Sequence, residues 1–279
     1  MDETMSDELA ENSLVKTEKV LVLPEMMPVW QETLGWQPSA GFQQQFQLLY
    51  ELILQGNSQM NLTRITSPED FWEKHLWDSL RGIAPFLKAS AGSASGEPPP
   101  DAGAQPASSH AGLKVIDIGT GAGFPGLPVA IVKPEWTVSL LDSTRKKIAF
   151  VSSLISDLGI ENATAVTGRA EEIGQQPQHR QSYDIALLRA VAPASVCAEY
   201  ALPLLKTGGQ AVLYRGHWTA QETDALGKAV QRLGGAIESL EAFTTPVDRG
   251  IRHCVCLRKV AATPAAFPRP TGVPAKQPL

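Results

Sequence analysis

Leu113-Lys-Val-Ile-Asp-Ile-Gly-Thr-Gly-Ala-Gly-Phe-Pro-Gly126 decides how the rest of the chain is read. Val115 to Ile118 is a short, mostly apolar run of buried-strand length. It breaks into Gly119, Gly121, Gly123 and Gly126, and Pro125 and Pro128 suit the first turn of a following helix. Four glycines in eight residues carry an entropic cost that an ordinary turn does not require. Glycine lets the backbone adopt positive φ and lets a ligand approach it closely. Strand, glycine turn and helix start therefore predict a cradle for the polar part of a nucleotide-like ligand.

Two registers of the loop name two ligands. Gly121-Ala-Gly-Phe-Pro-Gly126 satisfies the dinucleotide spacing G-x-G-x-x-G. Counted from Gly119, the first glycine after the strand, the third glycine of that pattern falls on Phe124. The pattern from Asp117 through Gly119, Gly121 and Gly123 resembles the cofactor loop of S-adenosylmethionine-dependent methyltransferases. A second strand, Thr137 to Leu141, ends in Asp142. An acid about 20 residues past such a loop is placed to accept hydrogen bonds from ribose hydroxyls. NAD and S-adenosylmethionine both carry a ribose, so Asp142 supports a nucleoside cofactor without choosing between them.

Downstream the pattern alternates. Thr144 to Leu158 reads as a helix, Ala163 to Thr167 and Tyr183 to Leu188 as strands, and Pro193 to Leu205 as a helix ended by Gly208-Gly209. Gln210 to Tyr214 is a further strand, Thr219 to Leu233 a helix, and Ile237 to Phe243 and His253 to Val260 close the sheet. This rhythm predicts an α/β fold with a doubly wound, mostly parallel sheet. Ligands bind such sheets at the carboxyl ends of the strands. Gly119, Asp142, Ala170, Glu171 and Arg189 all fall at that edge.

Upstream, residues 21–87 predict a helical cap. Phe42, Phe46, Leu49, Leu52 and Ile53 recur at helical spacing up to Gly56-Asn57. A second helix starts with Ser67 as N-cap and Pro68 at the first helical position and runs towards Leu87. Residues 88–112 are low in complexity and read as a flexible linker, 113–260 as the cradle domain. Residues 1–20, polar and acidic, and 261–279, proline-rich with Arg269 and Lys276, read as disordered ends.

Composition bounds the partners. Over 279 residues the net charge is −5 and the pI about 5.6, which argues against a dedicated nucleic-acid binder unless basic residues cluster locally. Three cysteines, Cys197, Cys254 and Cys256, form no metal-site spacing and read as small core residues. The first residues are acidic where a secretory leader would be basic, and no apolar run reaches membrane-spanning length. The expectation is a cytoplasmic monomer with no metal and no membrane partner.

The motifs together resemble the bacterial 16S ribosomal RNA guanine-N7 methyltransferase family, also called glucose-inhibited division protein B. The matching pieces are Asn61-Leu-Thr63, His75-Leu-Trp-Asp-Ser79, Asp117 to Gly126, Leu141-Asp-Ser143 with Lys146-Lys147, Gly168-Arg-Ala-Glu171, Arg189-Ala-Val-Ala192 and Arg252-His253. They cover roughly residues 40 to 260 in order. The resemblance implies a Rossmann-like class I methyltransferase sheet, S-adenosylmethionine as cofactor and 16S ribosomal RNA or the small ribosomal subunit as partner. It implies that Gly119, Phe124, Asp142, Ala170, Glu171 and Arg189 contact the cofactor, with Ala170 and Glu171 beside the adenine. Asn61, His75, Lys146 and Arg215 would face the RNA. Arg215-Gly216 stands where the family typically has lysine-glycine.

The implied chemistry needs few groups. Guanine N7 presents a lone pair on the major-groove edge and carries no proton. Its methylation therefore requires no general base, only positioning and extraction of the base from its stack. Candidates for gripping RNA are Arg64, Lys74, Arg81, Arg145, Lys146, Lys147, Arg215, Arg249 and Arg252. The competing readings are a methyltransferase acting on a small molecule or protein, an NAD-dependent oxidoreductase, and an RNA-binding module without catalysis.

Overall fold

In a computed structural model, which describes residues 21–60, 62–91 and 112–279, seven strands form one sheet in the order β3-β2-β1-β4-β5-β7-β6. The strands are β1 (Lys114–Ile118), β2 (Thr137–Asp142), β3 (Ala163–Thr167), β4 (Tyr183–Arg189), β5 (Leu205–Arg215), β6 (Gly235–Thr244) and β7 (Ile251–Lys259). The first five run parallel, and β7 lies antiparallel between β5 and β6. Chain order reverses between β1 and β4, which puts the switch point at the ends of these two strands. This is the doubly wound, Rossmann-like sheet that the alternation predicts.

The strands separate two apolar layers. In β1, Val115 joins the layer that includes Trp30, Leu49, Trp72 and Trp77, whereas Ile116 joins the one that includes Leu141, Leu188, Ala198 and Leu213. Successive side chains point to opposite faces of a strand, so a short parallel strand covered on both sides must be apolar almost throughout.

The cap is built from α1 (Met27–Leu34), α2 (Ala40–Met60), α3 (Pro68–Phe71), a π-helical segment (Trp72–Trp77), α4 (Asp78–Arg81) and α5 (Ala84–Ala91). Ser67 caps α3 as expected, its Oγ accepting from Asp70 N–H at 3.3 Å. The stretch from Pro68 to Leu87 is not one uniform helix. It passes through the π segment and breaks at Gly82-Ile83. Nor does it stop at Leu87, because α5 continues to Ala91.

The remaining helices are α6 (Gly126–Val132), α7 (Arg145–Asp157), α8 (Ala170–Ile173), α9 (Ala194–Ala201), α10 (Ala220–Arg232) and α11 (Val273–Lys276). Pro125 sits one residue ahead of α6 rather than inside it. Gly208 and Gly209 fall in an irregular stretch of β5, where the register with β4 jumps from Tyr183↔Leu205 to Ile185↔Gln210.

The largest departure from expectation is the C-terminal segment. Residues 261–279 are packed on the sheet domain rather than disordered. Arg269 forms an ion pair with the fully buried Glu199, and Thr263 and Pro274 are themselves buried. Composition misleads here because a proline-rich segment needs no ladder hydrogen bonds of its own when side chains of the domain hold its carbonyls. Arg180 does so for Thr263 O and Phe267 O.

Candidate active site

Two depressions open at the carboxyl ends of the central strands and adjoin after β4, where Arg189 and Ala190 line one and Val191 the other. The first is lined by Gly119, Asp142, Ser143, Arg169, Ala170, Glu171, Val191 and Tyr200. The second, a cavity of about 460 Å³, is lined by His75, Asp78, Arg189, Tyr214, Arg215 and Arg252 among others.

The glycine turn shapes the first. Gly119, Gly121 and Gly123 all hold positive φ, at 75°, 62° and 99°. A Cβ on Gly119 would stand 2.8 Å from Val191 Cγ2, so the turn needs glycine there both for its dihedral and for space. Asp117 ties the turn to its strand. Its Oδ2 accepts from Thr120 Oγ1 at 2.6 Å and from Gly126 N–H at 2.8 Å, while its buried Oδ1 has no partner among the described residues. Burial raises its carboxyl to about 6, partly offset by those two donors.

Asp142 is oriented by backbone. Oδ1 accepts from Thr144 N–H at 2.8 Å and Oδ2 from Gly121 N–H at 3.1 Å. A carboxylate held this way at the floor of the cleft keeps lone pairs for ligand hydroxyls. Glu171, also buried, accepts at Oε1 from the Tyr200 hydroxyl at 3.3 Å. Tyr200 remains a donor because burial, reinforced by the charge of Glu171, pushes its phenol up to about 12. A cradle that excludes a Cβ, an oriented acid at the end of β2 and a second acid after β3 fit a ribose-bearing cofactor.

Beside the second cavity, His75, Phe124 and Arg189 pack on one another. The imidazole stacks on the Phe124 ring with centroids 4.3 Å apart and planes 16° from parallel. Arg189 Nη2 reaches His75 Nδ1 at 3.3 Å, Nη1 donates to Asp78 Oδ2 at 3.0 Å, and the guanidinium carbon lies 5.8 Å from the Phe124 ring centre. Since a guanidinium can only donate, Nδ1 accepts and the proton sits on Nε2, which donates to Thr63 Oγ1 at 3.0 Å. Burial, with Arg189 adding repulsion, lowers His75 to about 3. The ring is neutral and both its nitrogens are occupied.

The π segment makes this possible. Its longer turn sends Asp78 N–H to Glu73 O rather than to Lys74 O, and Lys74 O accepts from Arg189 Nη1 at 2.7 Å instead.

Not every expected residue meets the first depression. Gly119, Asp142, Ala170 and Glu171 line it together, whereas Phe124 is not among its lining residues and stacks instead on His75 of the second cavity. Arg189 lines the second cavity and is engaged with the cap. Arg215 lines that cavity too, but donates to Ala192 O at 2.8 Å and to Glu222 Oε1 at 3.3 Å. Lys146 is exposed on the first turn of α7, and Asn61 lies outside the described residues. Among the other basic candidates, Lys74 pairs with Asp70, Arg81 with Glu241 and Arg215 with Glu222. Arg64, Arg145, Lys146, Lys147 and Arg249 are exposed and carry no carboxylate partner among the described residues.

Comparison with known proteins joins these observations to a family. The family model described as rRNA small subunit methyltransferase G matches residues 42–97 and 104–254. The chain belongs to this family. It is a methyltransferase of the S-adenosylmethionine-dependent kind, which agrees with the glycine register counted from Gly119 and sets aside the dinucleotide one. A ribosomal RNA small subunit methyltransferase G from Nostoc punctiforme is 60% identical over 258 residues, covering 92% of this chain and 99% of that protein. The protein of the same name from Trichormus variabilis is 58% identical over 264 residues, again covering 92% and 99%. Among solved structures, the YcgJ protein from Bacillus subtilis aligns at a TM-score of 0.42 and 17% identity, covering 55% of this chain and 94% of that one.

Three lining residues of this methyltransferase escape sequence reasoning. Tyr200 sits in α9, every residue of which is buried, and nothing in its spacing marks it as facing a cleft. Val191 falls inside the matching stretch Arg189 to Ala192 and Tyr214 ends a predicted strand, yet neither is singled out there as a lining residue. Only the three-dimensional arrangement places them against the cradle and the second cavity.

Proposed function

We propose that the chain transfers a methyl group from S-adenosylmethionine to N7 of a guanine in 16S ribosomal RNA of the small ribosomal subunit. One observation carries this reading. The two depressions adjoin at the end of β4, where Arg189 and Ala190 line the second and Val191 the first, and the His75 imidazole in the second is neutral with both nitrogens engaged. That imidazole offers no free lone pair to take a proton, so an acceptor whose own lone pair is already free suits the site. Guanine N7 is such an acceptor.

The cofactor supplies a methyl group on a positively charged sulfur. The chain's own residues bind and orient. Gly119 leaves room for close approach, Asp142 accepts from hydroxyls, and Ala170 and Glu171 form the wall at the base. Phe124 stacks on His75, and Arg189 fixes that face of the second cavity by holding His75 and Asp78. The second cavity takes the extracted base. Orienting two reactants in this way is worth on the order of 7–11 kcal/mol of barrier.

Arg64, Arg145, Lys146, Lys147 and Arg249 are the cations we assign to the phosphate backbone, because no acid among the described residues pairs with them. Residues 21–91 form the cap and 112–279 the catalytic domain. The relatives' names place their action on small-subunit ribosomal RNA, and by that likeness this chain works in the cytoplasm on the same class of substrate. No helix among the described residues is long and apolar enough to cross a membrane.

The test is transfer of labelled methyl from S-adenosylmethionine to small-subunit particles and to bare 16S RNA lacking the modification, followed by chemical cleavage at 7-methylguanine. A single cleavage site is expected. Label in RNA without that cleavage would move the target atom. No label in RNA, with cofactor still bound, would move the acceptor class to a small molecule or a protein.

A further inference from the structure

Past β7 the chain crosses back over α8 and α9, where the domain holds it by a row of side-chain contacts. Arg180 Nη1 donates to Phe267 O at 2.7 Å and Nη2 to Thr263 O at 3.0 Å. Gln175 Nε2 donates to Pro268 O at 2.7 Å. The firmest tie is at Arg269. Its Nε donates to Glu199 Oε1 at 2.9 Å, its Nη2 to Oε2 at 2.7 Å, and its own backbone N–H to Oε1 at 2.8 Å. Glu199 is fully buried, and a bidentate guanidinium with a third donor satisfies both of its oxygens.

Three residues beyond this anchor the strap reaches the first depression. Gly272 N–H donates to Glu171 Oε1 at 2.9 Å, and Thr271 Oγ1 donates to Glu172 Oε1 at 3.1 Å. Gly272 holds φ at 81°, a conformation glycine adopts without strain. Tyr200 donates to the same Oε1 of Glu171. Oε2 takes no hydrogen bond from any described residue. One oxygen of the acid is thus held from two sides and the other is left for a ligand. Nothing in the methylation reading uses residues 261–279, and the family match ends at residue 254.

We propose that the C-terminal strap is a positioning element of the cofactor cleft, in which Gly272 N–H together with the Tyr200 hydroxyl fixes Glu171 so that its second carboxylate oxygen meets a hydrogen-bond donor on the bound cofactor. The proposal rests on the reading of this cleft as the S-adenosylmethionine site. Glu171 touches the cofactor, and Gly272 acts through Glu171. A preset carboxylate loses less freedom when the ligand arrives, which raises affinity without any new contact.

The test compares the full chain with a chain ending at Pro270, which keeps the Arg269–Glu199 anchor and removes the Gly272 donor. S-adenosylmethionine affinity is measured by calorimetry in both, alone and with Glu171→Ala. The shortened chain should bind about tenfold more weakly. Its KM for S-adenosylmethionine should rise, with kcat at saturation and KM for RNA unchanged. Glu171→Ala should also weaken binding, and shortening that variant should add no further loss. Equal affinity of the long and short chains, or losses that simply add, would overturn the proposal. Normal binding by full-length Glu171→Ala would instead displace the cleft assignment itself. Should the shortened chain fail to fold, Gly272→Pro in the full chain deletes the same N–H and, because proline cannot hold φ at 81°, also releases that end of the strap, and unchanged affinity there would equally overturn the role assigned to it.

Discussion

His75 combines three constraints that define its state. It is buried, it stacks on Phe124, and it stands beside a guanidinium. Burial first and the guanidinium second disfavour the imidazolium, and the folded value falls to about 3. The sign of the linkage follows. Unfolded, the ring protonates at its ordinary value of 6.5, so below that pH the unfolded chain takes up a proton that the native chain refuses. The contribution to stability is whole above pH 6.5 and is lost as pH falls towards 3. Asp117 works in the opposite sense. Its carboxyl, raised to about 6, favours the native state more as pH falls between 6 and 3.8. A difference measurement therefore isolates the histidine. Between pH 7 and pH 5 the native chain should lose about 2 kcal/mol that a His75→Gln chain does not lose. Urea unfolding midpoints at the two pH values check this. A parallel pH response of both chains would mean that the ring is charged in the fold.

The first turn of α7 carries Arg145, Lys146 and Lys147 at the carboxyl end of β2. Cations at a helix N-terminus oppose the macrodipole, and no acidic residue in the first turn offsets them. An element so arranged is better suited to an anionic partner than to isolation. Changing all three to Ala should weaken RNA binding and lower the log–log salt slope by about 2, the counterion release from three phosphates on a single strand. Affinity measured between 50 and 200 mM salt reads this directly, and an unchanged slope would return the turn to solvent. The π segment is the other element with a role beyond its length. Its wider turn leaves Lys74 O for Arg189, a contact that an uninterrupted α-helix would have replaced with an internal hydrogen bond.

At the scale of the whole molecule, the cap is fastened to the catalytic sheet at several points. Arg189 of β4 meets Asp78 of α4, Tyr214 Oη of β5 donates to Ser79 O at 2.7 Å, and the buried Glu73 accepts the backbone N–H of Asp248 at 3.1 Å. The Arg189–Asp78 pair is only 16% exposed on each side. Asp78→Ala leaves the guanidinium partly buried without its carboxylate and should destabilise the chain by about 2 kcal/mol. Since the same pair lines the second cavity, KM for RNA should rise in the folded variant. Denaturant titration and steady-state kinetics on one preparation separate the two effects. Unchanged stability and KM would reduce the pair to surface decoration.

The sheet, the cradle at Gly119, the acid at Asp142 and the pair Ala170–Glu171 were legible in the sequence, because each depends on local rules. A strand buried on both faces must be apolar, a tight turn must be glycine, and an acid at a strand end follows from chain order alone. Tyr200, the coupling of Arg189 to His75 and Asp78, and the docking of residues 261–279 were not legible. They depend on pairs far apart in the chain, such as Arg269 with Glu199 and Gly272 with Glu171, where neither residue carries a local signal of its partner. A proline-rich composition says that a segment does not build its own hydrogen-bond ladder. Whether it stays free or is held is decided by donors such as Arg180 and by buried charge such as Glu199, and only the tertiary structure brings these to it.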